Sequence, residues 1–209
     1  KKVLYFSPDL MVPCMGYIFP HCKESDLYSI GKVLDKTDVY REDVLRSIVT
    51  TKNMPNFGYL GYKANENKYT YARPTEDKIS QLFMNMRELA DYIVIDCVSD
   101  RSDLISSLAK AEADVIVQVV TPTLKCMSYY AANGDQFIAF ADKVVKVINI
   151  KDNDIYLPVG EVKEHFKDVE IKIPYSHSLK QQSITGTLSE HITDKVFCDS
   201  ILRLAKVVS

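Results

Sequence analysis

Residues 92–96, Tyr92-Ile93-Val94-Ile95-Asp96, decide the fold. The run is apolar, β-branched and short, and it ends in an acid. Such a run reads as a strand buried on both faces. It follows directly on a helical pattern over 75–90, where Thr75 precedes Glu76-Asp77. Ile79, Leu82, Phe83, Met86 and Leu89 there recur at helical spacing. The same helix-then-strand alternation continues downstream. A helix over about 102–111 leads to the strand Val115–Val120, ended by Thr121-Pro122. A helix over 124–141, with a break expected at Asn133-Gly134, leads to the strand Val144–Asn149, ended by 150–154. A short helix over 158–166 opens at Pro158, and Ile171-Lys172-Ile173-Pro174 is a further short strand. A terminal helix over 193–208 turns Val196, Phe197, Ile201, Leu204, Ala205 and Val208 inward.

Upstream, Val3-Leu4-Tyr5-Phe6 is a strand buried on both faces and stopped by Ser7-Pro8-Asp9. Helices are expected over 24–34 and 40–50, a turn over 53–58 and a short strand over 59–62. Strands alternating with helices predict an α/β fold: a mostly parallel, doubly wound sheet with helices on both faces. No linker or repeat divides the chain, so a single domain over 1–209 is expected. A chain that opens on Lys1-Lys2 and runs straight into a strand is expected to begin inside a larger domain.

Composition narrows the function classes. The chain has 209 residues, of which 46% are hydrophobic and 26% charged, with a net charge of −2. The balance argues against a strongly electrostatic nucleic-acid binder. No apolar run approaches the ~20 residues of a membrane-spanning helix. Five cysteines, 14, 22, 97, 126 and 198, are irregularly spaced, with no Cys-x-x-Cys pair. Free thiols of a reducing, cytoplasmic protein are expected, with Cys97 and Cys198 as small core residues.

In open parallel sheets ligands sit beyond the carboxyl ends of the strands. The residues at those ends are Asp9, Asp96, Thr121-Pro122, Asn149 and Pro174-Tyr175. Taken singly, each is better explained by turn or helix capping. Their order carries more. The strand Tyr92–Asp96, the run Ala113-Asp114-Val115-Ile116-Val117 closed by Thr121-Pro122, the strand Val145–Asn149 and the loop Ile173-Pro174-Tyr175 resemble, in sequence order, the MinD/ParA-like (SIMIBI-class) P-loop ATPases. Val3–Asp9 resembles the family's second strand, with Ser7 in place of its first Asp and Asp9 in place of its second. The divergent CpaE/TadZ-like pilus-assembly branch is the more similar, since Val98 stands where most members carry a proline.

The resemblance implies roles. Asp9 and Asp96 are the catalytic candidates, and Asp96 would also hold Mg²⁺ through a water. Asn149 would read the adenine of ATP, with Pro174 and Tyr175 beside the base. It implies a homodimer in the cytoplasm or at the inner face of the membrane, with partners in a pilus, secretion or partitioning machine. No G-x-x-x-x-G-K-[ST] occurs, and the one Gly-Lys pair, Gly31-Lys32, lies in a helical pattern. The phosphate-binding βα unit is therefore expected upstream of Lys1, and this chain alone is expected to be inactive. The alternative is a non-catalytic pseudo-ATPase scaffold. A third is an unrelated α/β enzyme that uses the Asp9/Asp96 rim.

Three weaker signals remain. Tyr59, Tyr62, Tyr69 and Tyr71 with Lys63, Lys68 and Arg73 form an aromatic and basic stripe. It suggests single-strand nucleic-acid stacking, or a solvated loop in which Glu66 dilutes the charge. Met11, Met15, Tyr17, Ile18 and Phe19 are either an exposed partner surface or buried under the sheet. The terminal helix is expected to pack on the core rather than on a membrane.

Overall fold

The computed structural model describes residues 1–19, 22–150, 159–166 and 169–208. Its contacts cluster into two units, Lys1–Ala111 with Ile184–Glu190, and Glu112–Ser183 with His191–Ser209. Each is described by itself.

The first unit is built around β1 (Val3–Ser7). It continues through α1 (Met15–Ile18), α2 (Ile30–Leu34), α3 (Arg41–Ser47), β2 (Val49–Thr51), β3 (Met54–Gly61), α4 (Glu76–Leu89), β4 (Tyr92–Ile95) and α5 (Leu104–Glu112). The sheet order is β2-β3-β1-β4, with β1 parallel to both neighbours and β2 antiparallel to β3. β1 is central because both its faces are apolar. Leu4 and Phe6 point into a core closed by Ile30, Val33 and Leu34 of α2, Val44 of α3, Ile79, Leu82 and Met86 of α4, and Ile105 of α5. Burying such side chains contributes about 1.5–3 kcal/mol each. Tyr5 points the other way and joins an aromatic ladder with Phe57 and Tyr59, capped by Met15, Phe19 and Leu27.

α4 shows how sequence sets an element. The Thr75 hydroxyl accepts the Lys78 N–H, Glu76 and Asp77 sit in the first turn, and Arg87 sits in the last. The helix stops where Ala90 turns extended. The Asp91 and Tyr92 N–H groups then reach the Lys2 carbonyl and start β4.

The second unit contains β5 (Ile116–Val120), α6 (Leu124–Asn133), β6 (Val144–Asn149), α7 (Val159–His165), β7 (Val169–Ile173), most of α8 (His177–Thr185) and α9 (Lys195–Val208). Its sheet is parallel, in the order β5-β6-β7. A small core of Val120, Ile148, Val162 and Phe166 fills one face, and Tyr130 meets Phe166 edge-on.

The α/β class and the predominantly parallel sheets are as expected, and so is the break at Asn133-Gly134, where α6 passes into a 3₁₀ stretch. Four expectations are corrected. The helix over 24–34 is only α2. The Ser29 hydroxyl accepts the Gly31 N–H and caps it there, while Glu24–Asp26 forms one 3₁₀ turn. The helix over 40–50 ends at Ser47, because Ile48 turns extended and leads into β2. The turn expected over 53–58 is mostly strand, since β3 pairs with β2 and gains a partner that an isolated apolar run does not reveal. In α9 only Ser200 is buried, and Val196 and Ile201 are exposed. Pro158 and the segment 151–154 lie outside the described residues. All five cysteines are free and partly buried.

Candidate functional site

The carboxyl ends of β1 and β4 lie side by side, because Phe6 is in register with Ile95. Asp9 follows β1 on a tight turn. Its Oδ1 accepts the N–H groups of Met11 at 2.7 Å and Val12 at 3.1 Å. One carboxylate oxygen thus caps the turn that shapes the loop. Asp96 follows β4. Its N–H donates to the Phe6 carbonyl at 2.9 Å, which fixes its backbone against β1. Its exposed carboxylate accepts the Tyr5 hydroxyl at 2.8 Å through Oδ2. Burial, reinforced by Asp96, pushes the Tyr5 phenol well above its usual range, so it stays a donor.

Ser7 is buried. Its hydroxyl lies 4.0 Å from the Cys14 thiol, which in turn lies 3.2 Å from the Tyr59 hydroxyl. A neutral hydroxyl suits this pocket, where a carboxylate would be desolvated beside a buried phenol. Beyond β4, the Val98 N–H donates to Ser106 Oγ at 3.0 Å and Asp103 accepts the Ser106 N–H at 2.7 Å. The loop is thereby stitched to the start of α5.

In the second unit, β6–β7 pairing sets Asn149 opposite Ile173. Pro174 and Tyr175 follow at once, so the three base-reading candidates are neighbours at one sheet end. The Asn149 side chain makes no hydrogen bond to another described residue, which leaves an amide donor and acceptor free. The Lys180 ammonium lies 5.9 Å from the centre of the Tyr175 ring. Asp9 and Asp96 thus follow adjacent strand ends in the first unit, and Asn149, Pro174 and Tyr175 lie at one sheet end in the second.

Two features escaped the sequence. Tyr5 as the partner of Asp96 has only a faint signal, its alternation with Phe6 in β1. The other is a clasp around Glu66. Its carboxylate accepts the Ser29 hydroxyl at 2.5 Å, the Lys63 N–H at 2.9 Å and the Tyr71 hydroxyl at 2.6 Å. Ser29 reaches this 63–71 loop from 37 residues away, and no local pattern announces that contact. The aromatic stripe is consequently no stacking platform. Tyr59 and Tyr62 are buried, Tyr71 is clasped, and Tyr69 alone of the four is fully exposed. The cluster after Asp9 divides as well: Met15 and Phe19 are core, while Met11 and Tyr17 are exposed.

The buried phenols set the alkaline behaviour of the first unit. Burial, then the Glu66 hydrogen bond, raises Tyr71 to about 12 from an ordinary 10.0. Tyr5, Tyr59 and Tyr62 are also raised, chiefly by burial. A raised acid holds its proton in the fold and loses it first when unfolded. Stability is therefore complete below pH 10 and falls as pH rises toward 12. Thermal melts across that range should show the decline, and Tyr62→Phe should make it shallower by about one proton.

No family model and no curated protein matches the sequence. The fold, α/β with parallel sheets and helices, is like that of ParA and MinD ATPases of solved structure. Among solved structures, the chain is similar to a ParA family ATPase from Chlorobium tepidum TLS, with a TM-score of 0.76 at 15% identity over 98% of this chain and 85% of that one. It is similar to the MinD cell division protein of Aquifex aeolicus, with a TM-score of 0.71 at 16% identity over 99% and 84%. A plasmid partition protein of Borrelia burgdorferi B31 bound to AMPPNP gives 0.70 at 14% identity over 99% and 87%. At such identities the likeness is one of fold.

Proposed function

We propose that the protein is an ATP-dependent positioning or assembly factor of the MinD/ParA type, working as a nucleotide-gated homodimer for a pilus, secretion or partitioning machine. One observation carries the reading: Asp9 and Asp96 close neighbouring parallel strands of a fold otherwise found in ParA and MinD ATPases. The reading includes a phosphate-binding βα unit beside β4. The second edge of β4 supports it, since β4 pairs only with β1 among the described residues and Val94 stands 50% exposed. The protein would work in the cytoplasm or peripherally at the inner membrane face. No helix among the described residues is long and apolar enough to cross a membrane.

The residues present fit Mg²⁺ and ATP in part. Among the described residues no group of three His, Cys, Asp or Glu side chains is placed to hold a metal ion. Mg²⁺ asks for less, since it keeps waters and binds through one or two carboxylates plus substrate phosphates. Asp96 offers an exposed carboxylate whose orientation Tyr5 fixes. Asp9 offers its remaining oxygen. Asn149 offers a free amide edge of the kind that pairs with adenine. Bound Mg²⁺ would neutralise charge on the transferred phosphoryl group. The chain's own part is to hold these acids at strand ends that packing has made rigid.

The scaffold reading has its own support. Ser7 is neutral and buried, Asp9 spends one oxygen on its turn, and Tyr5 engages Asp96. Calorimetric titration of the full-length protein separates the two. Asp96→Ala should weaken Mg²⁺-dependent ATP binding by about tenfold, the scale of losing one partner of a metal's shell. Unchanged Mg²⁺-dependent binding would reject the role given to Asp96.

A further inference from the structure

Tyr5 and Asp96 project from the same face of the first sheet. Tyr5 is in register with Val94. The Asp96 N–H still bonds the Phe6 carbonyl, so the side-chain alternation of β4 carries on from Val94 to Asp96. The phenol crosses this diagonal and donates to Asp96 Oδ2 at 2.8 Å. Among the described residues nothing donates to Oδ1. Val94 stands 50% exposed between them, so the face is open beside the carboxylate.

The Tyr5 ring is itself held. Its centre lies 5.4 Å from that of Tyr59 and 6.5 Å from that of Phe57. Tyr59 is buried, meets Phe19 edge-on at 5.4 Å, and sets its hydroxyl 3.2 Å from the Cys14 thiol. The Tyr5 hydroxyl, by contrast, is a part that the fold does not need. Phenylalanine would fill the ladder as well, and a hydrogen bond to an exposed carboxylate adds little net stability. What the hydroxyl does is fix one oxygen of a side chain otherwise free to rotate at both χ angles.

We infer that Tyr5 is a positioning residue for the acid at the end of β4, and that by holding Asp96 it makes the site prefer Mg²⁺ over Ca²⁺. The inference rests on the nucleotide reading above. A carboxylate aligned in advance loses less freedom when the metal arrives. The gain is largest for the ion with the strictest geometry. Mg²⁺ demands a near-octahedral shell and keeps several of its waters, whereas Ca²⁺ accepts roughly six to eight oxygens in a flexible shell. Loosening Asp96 therefore harms Mg²⁺ more than Ca²⁺. A Tyr5 that merely obstructed the acid would give the opposite sign, because removing its hydroxyl would free Oδ2 for the metal.

Calorimetric titration of the full-length protein with AMPPNP, in EDTA, in Mg²⁺ and in Ca²⁺, separates these cases. Tyr5→Phe should weaken Mg²⁺-dependent binding by about tenfold, the scale for a group that orients a metal's ligand. Binding with Ca²⁺ should change by less than about twofold. Binding in EDTA should be unchanged, which also shows that the variant folds. Tyr92→Phe removes another phenol of β4, one engaged by Lys1 at 2.6 Å, and should leave all three unchanged. Equal losses with Mg²⁺ and Ca²⁺, no loss with either, or tighter binding with Mg²⁺ would each overturn the inference and leave the nucleotide reading standing. A protein with Tyr5 intact that binds AMPPNP with neither ion would reject both.

Discussion

Phe6→Ala is expected to cost the first unit about 4 kcal/mol of stability, within the 3–5 kcal/mol typical of truncating a buried phenylalanine. Phe6 is fully buried at the middle of the sheet, in register with Leu60 on one side and Ile95 on the other. Helices α2, α4 and α5 all contribute to the core that its ring joins. No single neighbour is free to collapse into the space, because the strands beside it are pinned by their ladders. A domain has about 5–15 kcal/mol to lose, so the variant would stand close to unfolding. Phe6→Leu keeps most of the volume and should cost about 1 kcal/mol. Urea titration of the three proteins, followed by tyrosine fluorescence, gives both numbers. A loss below about 1.5 kcal/mol for Phe6→Ala would show that the cavity closes and that the core is softer than its burial implies.

Gly31→Ala is the second large effect, expected at about 3 kcal/mol. A methyl group there would overlap the Tyr71 ring, whose Cζ would lie 2.9 Å away. The ring has little freedom to retreat, because its hydroxyl is held by Glu66 at 2.6 Å. Moving it gives up a hydrogen bond to a charged group and loosens the clasp on Ser29 and Lys63. Alanine would otherwise favour the helix by up to about 1 kcal/mol. The sign of the substitution thus depends on Tyr71. In a Tyr71→Ala background, Gly31→Ala should be neutral or mildly stabilising. The double-mutant cycle should return a coupling of about 2 kcal/mol or more. Equal cost in both backgrounds would mean that Gly31 is needed for another reason.

The two positions show what the sequence discloses. The environment of Phe6 was readable, because continuous β-branched runs such as Tyr92–Ile95 and Val144–Asn149 and the capped start of α4 are local patterns. The environment of Gly31 was not. Its constraint comes from Tyr71 and Glu66, which fold back from some 40 residues away and belong to no periodic element. β2 was missed for a similar reason: three residues become a strand only through pairing with β3. At the candidate site, strand-end acids could be found by position alone, and Asp9 and Asp96 do close adjacent strands. Whether an acid is free or already committed depends on hydrogen bonds that the sequence does not show. The turn capped by Asp9 and the Tyr5–Asp96 contact are of that kind.

The central claim is that this fold serves Mg²⁺-ATP, with Asn149 reading the base. Titration of the full-length protein with ATP and with GTP, with and without Mg²⁺, tests it most directly. The account predicts saturable, Mg²⁺-dependent binding that favours ATP, with the preference lost in Asn149→Ala. Absence of saturable binding to either nucleotide would contradict it and leave the scaffold reading in its place.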